Sequence, residues 1–347
     1  MKKIIVAAGG SGGHVFPALA VASRLKEQNI EVIFIAVGLD QNRFFPRNEF
    51  KNFTIEGSYF SKNRFFSFFW KNFYGTFQSI KILKQERPNS VIGFGSYHSF
   101  PVILATKLMG IQYSLFEPNL ELGKVNNIFL PWAKWIFSYF SLGLKKEKLI
   151  LPPTEYKKIS IQEAKLNLSI TDDKPIFLVV GGSQGAKWLN KAMQKITPNT
   201  LQQFFVVHIA GKNENLQDLK DYYKKIEVDV RVLDFTDRMQ EYWSIADFAF
   251  CRSGASTIYE LIYFKKPALL APYGLDKKGH QVSNAKYLAE KLKAADIIYQ
   301  QEESYEAINA KLDSFLKNKE QYRKNLENIN INPSQIDWKK IIRECFF

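Results

Sequence analysis

The sequence predicts an α/β protein built from two doubly wound, parallel-sheet domains. Three observations predict it. Short β-branched apolar runs alternate with segments of helical apolar spacing along the chain. A glycine-rich turn follows the first strand of each half, "GGSGGH" at Gly9–His14 and "GGSQG" at Gly181–Gly185. The length of 347 residues exceeds that of one ordinary domain, so two are expected.

In the first half, "KKIIVAA" and "EVIFIAVG" read as strands, with the helical "VFPALAVASRLKEQ" between them. The strand "SVIGFG", the helix "SFPVILATKLMG" and the strands "QYSLFEPN", "WIFSYF" and "KLILPP" follow. This βαβ order implies a parallel sheet covered by helices. From Pro152 to Asp173 the pattern weakens into polar and turn-forming residues, and the interdomain link is placed there. The second half repeats the scheme. "PIFLVVGGSQG", "FFVVHIAG", "VRVLDFT", "DFAFCRSG", "PALLAPYG" and "ADIIYQ" read as strands. "AKWLNKAMQKI", "STIYELIYF" and "VSNAKYLAEKLKA" read as helices. The expected domains are residues 1–157 and 158–332, with a C-terminal helix at about 333–347 packing back on the first. In such sheets ligands bind beyond the carboxyl ends of the strands, here in a cleft between the domains.

Composition narrows the class. Two cysteines, Cys251 and Cys345, make no disulfide framework and fit a reducing compartment. The start "MKKIIVAAGG" has a short basic and apolar run, but glycines interrupt it, so it reads as a first strand and not as a signal peptide. No segment reaches the roughly 18 apolar residues of a membrane span. A net charge of +14 directs the protein toward polyanions or anionic membranes.

The glycine turns let backbone N–H groups converge at a helix start, where the dipole favours an anion. A dinucleotide site fails in detail. A GxGxxG frame from Gly10 places Val15 at the third glycine, and no acid ends the second strand. No GxxxxGK[ST] occurs, which excludes a P-loop NTPase. A third turn, "CRSGASTIYE", puts Ser253 or Gly254 at a helix cap, with Ser256 and Thr257 in the first turn. Its N–H groups suit a diphosphate, and Glu260, about one turn on, suits the vicinal hydroxyls of a ribose. His280 and Gln281 precede a further helix and can bond sugar hydroxyls. No DxD pair for a metal stands at a strand end. Together the turns point to a nucleotide-sugar in the second domain and an acceptor in the first.

Four ordered motifs, "GGSGGHVFPALAVA", "GGSQGAKWLN", "CRSGASTIYEL" and "HQVSNAKYL", resemble the MurG family of GT-B fold, and the resemblance covers nearly the whole chain. It implies two Rossmann-like domains and transfer of N-acetylglucosamine from UDP-GlcNAc to the C4 hydroxyl of lipid I. It further implies inversion, no cofactor and no obligatory metal. By the same resemblance Ser11, Gly12, Gly13 and Asn119 line the donor side, Ser183 meets the diphosphate, and Asn190 lies close by. Thr236 approaches the uracil through its backbone. Ala255, Ser256, Thr257, Ile258, Tyr259 and Glu260 wrap the α-phosphate and ribose, and His280 and Gln281 read the sugar. The base is His14, whose imidazole has a reference pKa of about 6.5, or Glu117 at a strand end. The partners implied are UDP-GlcNAc, undecaprenyl-linked lipid I, the anionic cytoplasmic face of the cell membrane and other cell-wall enzymes.

The chain departs from the family at several points. "FEPN" (Phe116–Asn119) stands where "HEQN" is usual, "LPPTE" where "GNPVR" is usual, and Ser96 replaces a glycine beside Tyr97. These departures keep two alternatives open: a UDP-GlcNAc 2-epimerase-like enzyme, and a GT-B relative with an altered acceptor or lost activity. "YFSKNRFFSFFWKNFYGTF" interleaves aromatics with Lys62, Arg64 and Lys71. Phe66, Phe69, Phe73 and Phe77 share one helical stripe, expected to be partly core. Phe65, Phe68 and Trp70 point elsewhere, so Phe65, Phe68, Phe69, Trp70, Lys71 and Tyr97 are assigned to acceptor or membrane contact. Single-stranded nucleic acid is the rival for such a surface, and no nucleic-acid motif accompanies it.

Overall fold

A computed structural model describes residues 2–10, 12–59, 65–150, 159–182, 185–212, 215–274, 279–302, 304–329 and 337–346, with the backbone alone of Phe65. The chain divides into two compact units. Unit 1 comprises residues 1–154 with 332–347, and unit 2 comprises residues 155–331.

The strands of unit 1 are β1 (Lys3–Ala7), β2 (Glu31–Val37), β3 (Lys51–Ile55), β4 (Ser90–Gly93), β5 (Tyr113–Glu117), β6 (Ile136–Ser138) and β7 (Glu147–Leu149). Its helices are α1 (Gly12–Glu27), α2 (Phe65–Glu86), α3 (Ser96–Leu108) and α4 (Lys124–Phe129). Unit 2 carries β8 (Ile176–Val180), β9 (Phe205–Ile209), β10 (Val230–Leu233), β11 (Phe248–Cys251), β12 (Ala268–Leu270) and β13 (Ala295–Ile297). Its helices are α5 (Ile161–Leu168), α6 (Lys187–Met193), α7 (Pro198–Leu201), α8 (Leu216–Lys225), α9 (Met239–Ile245), α10 (Ala255–Phe264), α11 (His280–Lys286) and α12 (Tyr305–Glu327). The last helix, α13 (Trp338–Phe346), belongs to unit 1.

Among the described residues both sheets are wholly parallel. Their orders are β3-β2-β1-β4-β5-β6-β7 and β10-β9-β8-β11-β12-β13. Each is the doubly wound order, in which strand progression reverses beside the first strand. The reversal falls between β1 and β4, paired Ile5↔Val91 and Ala7↔Gly93, and between β8 and β11, paired Val180↔Cys251. Helices cover both faces of a parallel sheet, so its central strands are continuously apolar. Ile4, Ile5, Val6 and Ala7 are fully buried, as are Phe177, Leu178 and Val179.

Two elements differ from the sequence reading. β3 is an edge strand, and its Lys51, Asn52 and Thr54 dilute the apolar signal. The expected link contains α5, a short helix capped by Ser160, whose hydroxyl accepts from the Glu163 amide at 3.1 Å. Residues 151–158, including "LPPTE", lie outside the described residues. α13 is anchored to unit 1 by Phe346, which stacks on Phe137 at 5.5 Å between ring centroids.

α2 reverses the expected amphipathicity. Its helically spaced aromatics are exposed, with Phe66, Phe69, Trp70, Phe73, Tyr74 and Phe77 all more than half in solvent. Along the aromatic stretch the buried face is small and polar, Asn72, Gly75, Thr76 and Ser79, and apolar burial follows only in the last turns, at Leu83 with Ile80 and Ile82 half-buried around it. Thr76 and Ser79 return their hydroxyls to the carbonyls of Asn72 and Gly75, both at 2.7 Å. Gly75 makes the close approach possible, since a Cβ there would stand 1.8 Å from the Glu56 carbonyl oxygen. The expectation that part of the Phe66–Phe77 stripe is core is therefore corrected: over this stretch α2 packs through small residues, and the rings of Phe66, Phe69, Phe73 and Phe77 are left outside.

Gly75→Ala sets two effects against each other. Helix propensity favours alanine by about 1 kcal/mol, while overpacking against fixed backbone costs about 1–3 kcal/mol. A contact of 1.8 Å to a main-chain oxygen decides for the second. Urea denaturation is expected to show a net loss of about 1–2 kcal/mol.

Candidate active site

In unit 1 the chain leaves β1 through Ala8, Gly9 and Gly10 and enters α1 at Gly12. Gly10 has φ 85°, a left-handed conformation that favours glycine. Its carbonyl accepts from the Asn42 amide at 2.8 Å, and Asn42 in turn accepts from the Phe44 N–H at 2.9 Å. Gly12 is buried, Gly13 exposed and His14 half-buried in the first turn of α1. Ser11 lies outside the described residues.

The turn after β4 faces this one. Gly95 has φ 73°, and Ser96 stands at φ 66°, where an L-residue is strained by roughly 1–2 kcal/mol. The Ser96 hydroxyl bonds His98 Nδ1 at 2.8 Å. Tyr97 stacks on the His98 ring at 3.8 Å, and Tyr59 meets Tyr97 edge-on at 5.8 Å. Burial, and secondarily the charge of His14, push His98 down to about 4. The sequence reading missed His98 and Asn42. The place of "GSYHSFP" after a strand beside the first strand is the signal that could have found His98.

At the end of β5, Glu117 is buried and both carboxylate oxygens are engaged. Oε1 accepts from the Asn119 amide N–H at 3.2 Å and from its side chain at 3.0 Å. Oε2 accepts from Gly123 N–H at 2.8 Å and from Asn126 Nδ2 at 3.0 Å. A carboxylate so satisfied organises the 118–126 loop. Asn119 is half-buried and bound to it. Phe116, where the family has histidine, is fully buried between Phe94 at 4.7 Å and Tyr139 at 5.2 Å. An imidazole there would need a partner that this aromatic stack does not offer.

In unit 2 the chain leaves β8 through Gly181 and Gly182, and Ser183 lies outside the described residues. A Cβ on Gly185 would stand 2.9 Å from the Ala210 carbonyl oxygen, so this turn rests directly on the chain leaving β9. Asn190 on α6 is buried, and its amide faces inward, to His208 Nε2 at 2.9 Å and the Ala210 carbonyl at 3.2 Å. His208 also bonds the Tyr223 hydroxyl at 2.9 Å, and burial pushes it down to about 3. Asn190 thus braces the turn from within.

The turn after β11 holds the most directed set of groups. Gly254 is the N-cap of α10, without a side-chain cap bond. The Ser253 hydroxyl instead donates to the Gln281 carbonyl at 2.7 Å, tying the start of α11 to this turn. The first helical bond of α10 runs from Ile258 N–H to the Gly254 carbonyl, so the N–H groups of Ala255, Ser256 and Thr257 have no helical acceptor. Ser256 is exposed, Thr257 and Glu260 half-buried. Ile258 and Tyr259 are buried, so their side chains face the core and only their backbone belongs to the turn. Behind the turn, Arg252 is buried, donates to the carbonyls of Ala271 and Pro272 at 2.9 and 3.3 Å, and has no ion pair among the described residues. Burial lowers its pKa to about 10, so it stays charged at neutral pH. Arg252 stood inside a quoted motif and was not singled out. Gln281 accepts from Tyr273 N–H at 2.9 Å, His280 is exposed, and the Thr236 hydroxyl accepts from Arg238 N–H at 3.0 Å. Among the acceptor-side residues, Tyr97 and Phe68 are half-buried, and Phe69, Trp70 and Lys71 are exposed. The Phe65 side chain lies outside the described residues.

The model of the glycosyltransferase family 28 N-terminal domain matches residues 4–138, and that of the C-terminal domain matches residues 176–337. A UDP-N-acetylglucosamine–N-acetylmuramyl-(pentapeptide) pyrophosphoryl-undecaprenol N-acetylglucosamine transferase from Protochlamydia amoebophila is 34% identical over 84% of this chain and 81% of its own length. The same-named protein of Haemophilus influenzae is 30% identical over 90% of each. The crystal structure of Acinetobacter baumannii MurG superposes with a TM-score of 0.78 at 27% identity, over 99% of this chain and 100% of its own. Os79 of O. sativa shares the fold, with a TM-score of 0.69 at 12% identity.

Glu117→Gln separates the two roles available to that carboxylate. An amide nitrogen would face donors at a buried site, a mismatch costing about 1–3 kcal/mol. The expected result is a lowered unfolding midpoint in calorimetry. A residue acting only as a base would lose activity and keep its stability.

Proposed function

The chain belongs to glycosyltransferase family 28, within it to the MurG family, and on that premise we propose that it transfers N-acetylglucosamine from UDP-GlcNAc to the C4 hydroxyl of the muramoyl sugar of lipid I. The transfer inverts the anomeric carbon and needs no metal. The observation that carries this reading is the α10 turn of unit 2, where the first N–H groups have no helical acceptor and the chain enters through the buried Arg252, which has no ion pair among the described residues. Such a site favours a dianion and supplies fixed positive potential where the leaving UDP gains charge.

In this reading the N–H groups of Ala255, Ser256 and Thr257 hold the α-phosphate, and Glu260 holds the ribose. Thr236 meets the uracil through its backbone, because its hydroxyl is engaged with Arg238. Gln281 accepts through its amide oxygen, its amide nitrogen has no acceptor among the described residues and is assigned to a sugar hydroxyl, and His280 is exposed beside it. Ser183 stays assigned to the diphosphate, and Ser11, Gly12, Gly13 and Asn119 to the donor side. His14 takes the acceptor proton, since Glu117 is committed to its loop. Unit 1 also carries the membrane contact through the exposed aromatic face of α2 and the net charge of +14. No helix among the described residues is long and apolar enough to cross a membrane, so attachment is peripheral in this reading, at the cytoplasmic face of the membrane.

UDP release from UDP-GlcNAc is expected only when lipid I is present, with a disaccharide product of inverted configuration and a rate unchanged by EDTA. Glu260→Ala is expected to weaken UDP binding by about tenfold, the loss of one charge-assisted hydrogen bond, read by calorimetry. Release without lipid I together with an epimerised sugar would refute the reading.

A paired test addresses the membrane. Flotation with vesicles rich in anionic lipid is expected to carry the protein upward, and Trp70→Ser with Phe73→Ser to leave it at the bottom of the gradient. Equal flotation of both proteins would remove α2 from the interface.

A further inference from the structure

The two turns that meet at the strand reversal of unit 1 contain a second histidine with no role in the transfer described so far. We propose that His98, seated by Ser96, is the positioning residue for His14, fixing the turn that delivers it and ensuring that of the two imidazoles only His14 exchanges a proton during the reaction. The proposal rests on the transfer reading above.

Three observations carry it. The first is contact. A Cβ on Gly10 would stand 2.5 Å from His98 Cε1 and 2.7 Å from Nδ1, and one on Gly9 would stand 3.0 Å from His98 Cβ. His98 therefore lies directly against the two glycines that precede α1, its ring at Gly10 and its Cβ at Gly9, and the turn takes its shape against that side chain. His14 lies in the first helical turn beyond it, so a displacement of the turn is passed on to the base. A third group that orients the base is the general arrangement of activated hydroxyl chemistry.

The second observation is how the ring is held. Ser96 bonds Nδ1 at 2.8 Å, and Tyr97 stacks on the ring face at 3.8 Å. Ser96 does this from a left-handed backbone, φ 66°, that costs a non-glycine residue stability. Serine at this place gains the hydroxyl that orients His98, which a glycine would lack.

The third is charge. Of the described groups, His14 on α1 is the one whose charge acts on His98. Tyr97 on α3 is uncharged at neutral pH, its phenol raised by burial and by Tyr59. Glu117 at the end of β5 is bound by Asn119, Gly123 and Asn126. The β2 residues against the turn, Ala36 and Val37, carry no charge. Two imidazoles in mutual reach resist double protonation, and the more buried one stays neutral. His98 then stays out of the proton exchange, and His14 is left as the imidazole that accepts the acceptor proton and later releases it.

The test uses the full chain, with UDP-GlcNAc and lipid I in vesicles, and ¹³C-histidine NMR on the same samples, which hold only four histidines. His98→Val is expected to lower kcat about 10- to 100-fold, the scale of a misplaced reacting group, with a smaller rise in the KM for UDP-GlcNAc because Gly12 and Gly13 share the turn. His98→Gln, which can still bond Ser96, is expected to restore most of the rate. His98→Lys places a cation beside His14 and disfavours its protonation. The His14 titration and the acid limb of the pH–rate profile should then move down together by about one pH unit. His98→Glu should move both up. If the wild type transfers sugar while kcat and acid limb ignore all four variants, the proposal fails and the transfer reading stands. If the wild type transfers nothing onto lipid I, the transfer reading fails. In that case an unmoved His14 titration overturns the proposal as well, and a titration that follows the charge at position 98 upholds the pairing.

Discussion

The architecture depends on one constraint: at the carboxyl edge of each sheet, the chain leaving the first strand must pass where a Cβ has no room. Gly9 and Gly10 lie against His98, and Gly185 lies against the Ala210 carbonyl. Parallel strands make this unavoidable. The first strand sits beside the reversal of strand order, so its turn and the turn after the neighbouring strand crowd the same edge. Glycine resolves the crowding by bringing backbone, with its N–H donors, to the surface that side chains would otherwise occupy.

The two units use this shared edge for opposite electrostatics. In unit 2 the second turn holds a buried guanidinium without an ion pair among the described residues and a helix start that its own residues do not cap. The bracing groups behind the first turn, His208, Asn190 and Tyr223, are neutral and satisfied, so the positive potential is not cancelled. In unit 1 the corresponding edge carries imidazoles, one of them held neutral, and a carboxylate whose oxygens are taken up by its own loop. An anion is favoured at the first edge. Proton exchange with a neutral hydroxyl is favoured at the second. A transfer reaction with a nucleoside diphosphate leaving group asks for both.

The parts legible in the sequence were those fixed by burial on both sides. The central strands are continuous apolar runs because helices cover both sheet faces, and both strand–glycine–helix transitions were readable for that reason. β3 was not, because an edge strand keeps polar residues toward solvent. Site residues were legible by position and not by satisfaction. Glu117 and Asn190 stand at the ends of the right elements, yet their hydrogen bonds close inward, to Asn119, Gly123 and Asn126 in one case and to His208 and Ala210 in the other. Arg252 and His98 were overlooked because neither is a glycine or a cap: Arg252 is a buried charge within "CRSGASTIYE", and His98 meets the first turn only through the fold.

α2 shows where periodicity misleads. The stripe Phe66, Phe69, Phe73 and Phe77 has the spacing of a core face, but spacing only says that the rings lie together. Which face meets the sheet is decided by how closely the helix must approach, and Gly75 against Glu56 requires an approach that no ring permits. Each ring, between 54% and 80% exposed, forgoes a part of the about 1.5–3 kcal/mol that full burial returns. Six such rings together forgo a sum that is large beside the marginal stability of a domain. A fold that leaves this much unrealised has a use for the surface outside itself. On the proposed reading that use is a lipid-linked acceptor, and the unit that would take the acceptor proton is then also the unit that meets the membrane in which the acceptor is anchored.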